Sequence, residues 1–125
     1  MKKNLLIIED NERFQESFWR ILKEKVNLYQ AYNLIEAEKI FDENKDILDF
    51  IALDWRIPSG WSRFKDTVEL AKHIKGNFNW IIFSITLSSE IKDDFKQLWL
   101  EILSLKLDLI NRIESIIKES KKNKD

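Results

Sequence analysis

Three apolar runs, LLII (5–8), FIAL (50–53) and WIIF (80–83), each last four residues and are followed at once by Glu9, Asp54 and Ser84. Half-exposed antiparallel strands alternate apolar and polar residues, whereas strands of a parallel sheet covered on both faces read as continuous apolar runs. These runs therefore predict buried parallel strands that deliver a polar group at their carboxyl ends. Two weaker candidates, VNLYQAY (26–32) and LEILSLK (100–106), complete a set of five.

Parallel neighbours cannot be joined by a hairpin, so the segments between the runs must cross over, and helices are the usual crossover. The sequence supplies them. Apolar residues recur at helical spacing at Phe14, Phe18, Ile21 and Leu22; at Leu34, Ala37, Ile40 and Phe41; and at Thr67, Leu70, Ala71 and Ile74. The pattern continues at Ile91, Phe95, Leu98 and Trp99, then at Leu109, Ile110, Ile113, Ile116 and Ile117. The expected architecture is a doubly wound α/β sheet, whose ligand site lies outside the carboxyl ends of the strands.

Composition narrows the functional classes. The 125 residues suit one hydrophobic core, and with a single Pro and glycines only at Gly60 and Gly76 no linker divides the chain. One domain over residues 1–120 is expected, with a solvated tail at 121–125. The 21 Lys and Arg nearly balance 22 Asp and Glu, so the net charge of -1 gives no case for direct nucleic-acid or membrane-surface partners. The absence of Cys excludes disulfides, thiolate metal sites and thiol nucleophiles. The apolar run near the N-terminus is too short for a signal segment or a span, and a cytoplasmic location is expected.

Reading only the carboxyl ends of the strands gathers Glu9 and Asp10 from the first, Asp54 from the third, Ser84 from the fourth and Lys106 from the fifth. Two carboxylates about 4 Å apart repel by roughly 4 kcal/mol at an effective dielectric of 20, so three of them call for a counter-charge. A hard cation such as Mg²⁺, with Lys106, supplies it. Such a site suits a phosphoryl group, with one carboxylate as nucleophile and the amine and hydroxyl on the equatorial oxygens. Each residue also has a plainer explanation: acids after a strand can start a helix, and Ser84 has Thr86 as a rival. Their joint placement favours function.

With these residues in register, the chain resembles the receiver domain of two-component response regulators. The resemblance rests on IIEDN after strand one, LDWRIP after strand three, IIFS at strand four and LSLK at strand five. The separations fit as well, with 44 residues from Asp10 to Asp54, 30 to Ser84 and 22 more to Lys106. It implies the flavodoxin-like (βα)5 receiver fold with a five-stranded sheet in the order 2-1-3-4-5. It further implies that Asp54 accepts a phosphoryl group from a histidine kinase or phosphotransfer protein. Glu9, Asp10, Asp54 and the main-chain carbonyl of Arg56 would hold Mg²⁺, and Ser84 and Lys106 would bind the phosphoryl oxygens. Such a chain is no enzyme beyond its own phosphorylation and slow dephosphorylation, and it signals to a downstream protein by contact.

Departures from the family pattern cluster beside strand five. Leu107 stands where Pro usually follows the Lys, Leu103 replaces the switch aromatic, Trp99-Leu100 replaces Gly-Ala, and Ser62 replaces a Gly after Pro58. Trp99, Leu103 and Leu107 either form an apolar patch for a partner or a homodimer through the fourth helix and fifth strand, or they repack the core. Arg56 either tunes metal binding and acyl-phosphate hydrolysis or is a plain surface arginine, and Trp55 and Trp61 either cover the phosphate, present a partner surface or pack locally. His73, in KHIK, is expected to be solvated and remote from the acids. The competing function is a degenerate receiver that docks partners without phosphorylation. A phosphohydrolase reading is weaker, because the second acid such enzymes carry two residues after the nucleophile is Arg56 here.

Overall fold

The computed structural model describes residues 2–54, 57, 63–64, 66–78, 81–85, 100–103 and 106–122. Among them strands and helices alternate along the chain: β1 (Lys3–Ile8), α1 (Glu12–Leu22), β2 (Val26–Ala31), α2 (Leu34–Asn44) and β3 (Phe50–Asp54). Then follow α3 (Thr67–Asn77), β4 (Ile81–Ile85), β5 (Glu101–Leu103) and α4 (Lys106–Lys122). The strands form one parallel sheet in the order β2-β1-β3-β4-β5, the order the resemblance implies. The helical pattern at 91–99, with Trp99, lies outside the described residues.

Strand alternation sorts the apolar runs between two cores. Leu6, Ile8, Ile51, Leu53 and Ile82 pack with Leu34, Ala37 and Phe41 of α2 and Leu70, Ala71 and Ile74 of α3. On the other face Leu5, Ile7, Phe50, Ala52 and Phe83 pack with Phe18 and Leu22 of α1 and Leu109, Ile110 and Ile113 of α4. Leu103 is half-buried and packs against this second core.

Local chemistry fixes the helix starts. Asn11 Oδ1 accepts from the backbone N–H groups of Arg13 and Phe14, Asn33 Oδ1 from Glu36, and Asp66 Oδ1 from Glu69, each satisfying orphan donors of a first turn. Within α1 the buried face runs Gln15, Phe18, Leu22, while Phe14 and Ile21 stay exposed, so the inward stripe is narrower than the apolar pattern suggested.

Three boundaries differ from expectation at this end of the chain. Strand β4 continues to Ile85, which places Ser84 inside the strand and not at its tip. Strand β5 stops at Leu103, and Lys106 opens α4 instead of closing the strand, because the helical repeat that buries Leu109, Ile110 and Ile113 reaches back to it. Helix α4 also runs to Lys122, two residues past the expected end of the domain at 120. No helix among the described residues is long and apolar enough to cross a membrane.

Candidate functional site

The carboxyl ends of β1 and β3 lie side by side, since Ile8 pairs with Leu53. One step further along each strand stand Glu9 and Asp54, which alternation puts on the α1 and α4 side of the sheet. The Glu9 N–H donates to the Ala31 carbonyl at 2.9 Å, extending the β1 to β2 ladder by one rung. Glu9 is buried, with 2% of its surface exposed, Asp54 is half-buried and Asp10 is exposed.

Oxygens from Glu9, Asp10 and Asp54 all lie within 4.8 Å of one another. At that outer separation each pair repels by about 3.5 kcal/mol at an effective dielectric of 20. Three carboxylates gathered at one strand edge therefore make a strongly negative rim. The donor set fits Mg²⁺ in its chemistry, being all hard oxygen and few enough to leave places for water and phosphate oxygens.

Ser84 is brought near in backbone but not in side chain. It pairs with Leu53 on one side and Ile102 on the other, one rung below Asp54. Alternation points it to the opposite face from Asp54, the face of the sheet that Ile82 shares with α2 and α3. There it is fully buried, and its Oγ has no hydrogen-bond partner among the described residues. Lys106 sits at the first turn of a 17-residue helix that begins just beyond the carboxyl end of β5. A cation there is unfavourable against the helix dipole, while an anion is favoured, so this end suits negative charge. Arg56, with the carbonyl expected on the metal, lies outside the described residues, as do Trp55, Trp61 and Thr86.

Beyond Asp54, the described residues Ile57 and Arg63 each have a partner elsewhere in the fold. Ile57 is buried in the core and its N–H donates to Thr67 Oγ1 at 3.3 Å. Further on, Arg63 bonds Glu38 of α2 at 2.7 Å and lies over the Phe64 ring, whose centroid is 5.1 Å from that of His73. His73 also meets the Phe41 ring edge-on and bonds Asp42 Oδ1 at 3.1 Å. This corrects the expectation of a solvated histidine: it joins α2, α3 and the segment leading into α3. The helical stripe Thr67, Leu70, Ala71, Ile74 placed His73 off the core, and no local pattern signals its partners on α2.

Sequence reasoning also passed over Gln15. Its side chain is fully buried and donates to the carbonyl oxygens of Ala31, Glu9 and Ile7 at 3.0, 3.1 and 3.3 Å. The only sequence signal was its spacing, three residues before Phe18 and seven before Leu22 on the inward stripe.

No family model and no curated protein matches the chain. Solved structures do. The N-terminal domain of an uncharacterized protein from Wolinella succinogenes superposes with a TM-score of 0.78 at 19% identity, over 99% of this chain and 97% of that one. A two-component response regulator from Clostridium difficile gives 0.77 at 21% identity, over 94% and 97%. The non-phosphorylated receiver domain of the stress response regulator RcsB from Escherichia coli gives 0.72 at 20% identity, over 98% and 95%. The chain has the fold of response-regulator receiver domains.

Proposed function

We propose that this chain is a receiver that accepts a phosphoryl group on Asp54. The observation that carries the reading is the convergence of Glu9, Asp10 and Asp54 within 4.8 Å at the carboxyl edge of the sheet. An Asp54 oxygen attacks the phosphorus of a phosphohistidine in line, an O–P bond forms, the P–N bond breaks and an acyl phosphate remains. Glu9, Asp10, Asp54 and the Arg56 carbonyl are the residues that would hold Mg²⁺, which would supply charge neutralisation for the phosphoryl oxygens. Lys106 offers a second cation. Water then releases the phosphoryl group slowly, and no other substrate is turned over.

Signalling follows from Ser84. Its buried hydroxyl lies below and behind Asp54, so contact with a phosphoryl group demands a rearrangement of the carboxyl end of β4, and that rearrangement is what a downstream protein reads. A histidine kinase or phosphotransfer protein is the donor. A structure of similar fold, at 23% identity, is the receiver of yeast Ssk1 in co-crystal with the histidine phosphotransfer protein Ypd1. The domain runs through the end of α4 at Lys122 and works in the cytoplasm. The degenerate docking module retains one observation in its favour, the sealed position of Ser84.

Beryllium fluoride mimics a phosphoryl group on a carboxylate and separates the two readings. With Mg²⁺ it is expected to shift the backbone resonances of Asp54, Ser84 and Ile85 in the wild-type protein and to leave Asp54→Asn unchanged. Unmoved β4 resonances at saturating concentrations favour the docking module.

A further inference from the structure

Gln15 occupies a place where an apolar residue would complete the buried stripe of α1, and a buried amide is unfavourable unless its hydrogen bonds are met. They are met on all sides. Its Nε2, with two N–H groups, is shared among the Ala31, Glu9 and Ile7 carbonyls. Its Oε1 accepts from Gln30 Nε2 at 2.8 Å, and that same nitrogen reaches the Gln15 main-chain oxygen at 2.7 Å.

The consequence falls on Glu9. The peptide before it is fixed by its N–H on the Ala31 carbonyl, and the peptide after it by its own carbonyl on Gln15 Nε2. With both flanking planes held, φ and ψ of Glu9 are set, and with them the direction of its side chain and the position of the Asp10 nitrogen. Asn11, capping α1 through Arg13 and Phe14, and the Gln15 N–H on the Asn11 carbonyl at 3.1 Å, close the loop from the other end. The two acids thus stand on a short connection pinned at each end, and the pin on the Glu9 carbonyl is a side chain.

We infer that Gln15 is a positioning residue for the cation site, orienting Glu9 and Asp10 through the Glu9 carbonyl without touching the ion. This rests on the reading of the rim as a Mg²⁺ site. Groups that orient metal ligands typically account for 10–100-fold in affinity, and the lower end, about tenfold, is expected here because the contact is to the main chain.

The test is calorimetric titration of the unphosphorylated protein with Mg²⁺, comparing wild type, Gln15→Met and Gln30→Met, with urea unfolding of each alongside. Gln15→Met keeps the volume but loses the donor; Gln30→Met removes bonds from the same network while leaving the Glu9 contact. The expected result is affinity weakened about tenfold in Gln15→Met and changed less than about twofold in Gln30→Met, although both lose stability. At saturating Mg²⁺, Gln15→Met should regain the wild-type extent of phosphorylation by acetyl phosphate. Equal affinities in Gln15→Met and wild type, or equal losses in the two variants, overturn the inference. A second measurement needs no variant: during the Mg²⁺ titration of wild type, the Gln15 side-chain amide protons should shift with the same midpoint as the Asp10 N–H, and unmoved amide protons overturn it. Wild type that takes up no Mg²⁺ overturns the cation site itself, a distinct outcome.

Discussion

Replacing Asp10 with Asn tests whether the acidic rim is strained in the absence of its cation. Asp10 has two carboxylate neighbours within 4.8 Å. Each pair at that separation repels by about 0.9 kcal/mol in water and about 3.5 kcal/mol at an effective dielectric of 20. Because Asp10 is exposed, the lower figure governs, and two neighbours give about 1–2 kcal/mol of relief. Against this, Asn forfeits about 0.5 kcal/mol of favourable interaction with the N-terminus of α1. The net gain is about 0.5–1.5 kcal/mol. For 125 residues the unfolding entropy is about 0.26 kcal/mol/K, so Tm in EDTA should rise by about 2–6 °C. Adding Mg²⁺ at ten times its dissociation constant should then stabilise wild type by about 1.4 kcal/mol, about 5 °C, and leave Asp10→Asn nearly unmoved. Thermal unfolding by circular dichroism with and without the ion reads both effects. An Asp10→Asn protein no more stable than wild type in EDTA, or one that gains as much from Mg²⁺, refutes the reasoning.

Further outcomes follow from packing and charge. Ser84→Ala removes a buried hydroxyl that has no partner among the described residues, so stability in urea should rise by about 1 kcal/mol while phosphorylation by acetyl phosphate slows; a loss of stability would show that the hydroxyl is paired. Phe41→Ala, which empties a fully buried ring site beside Phe78 and His73, should cost about 3–5 kcal/mol in urea unfolding, and a cost below about 1 kcal/mol would contradict the packing. Glu114 is held below its ordinary value of 4.5 chiefly by the hydrogen bond from Lys25, then by that residue's charge. Its folded value lies below the unfolded one, so its contribution is full above about pH 4.5 and is lost as pH falls through the folded value; carbon NMR titration should show the depression shrink in Lys25→Met, and an unchanged depression would contradict the assignment.

The strands were legible because burial on both faces leaves no room for polar interruption: LLII, FIAL and the IIF of the third run each map onto a strand of the sheet. The stripe Thr67, Leu70, Ala71, Ile74 is buried as its spacing required. The acidic triad was legible for a related reason, since the carboxyl ends of adjacent parallel strands must converge. What escaped was set by distance in sequence or by a boundary. The Glu38–Arg63 and Asp42–His73 contacts join residues 25 and 31 positions apart, beyond any local pattern. Gln15 was hidden because its polarity reads as surface while its three acceptors are main-chain atoms, which the sequence does not display. The expected fifth strand overran because LEILSLK is apolar enough for either state, and the helical repeat of α4 claimed its last residue, Lys106.

Intact-protein mass after incubation with acetyl phosphate and Mg²⁺, beside Asp54→Ala, tests the central claim most directly. The account predicts the gain of one phosphoryl group in wild type, lost when Mg²⁺ is chelated and absent from Asp54→Ala. No gain in wild type, or an equal gain in Asp54→Ala, would contradict it.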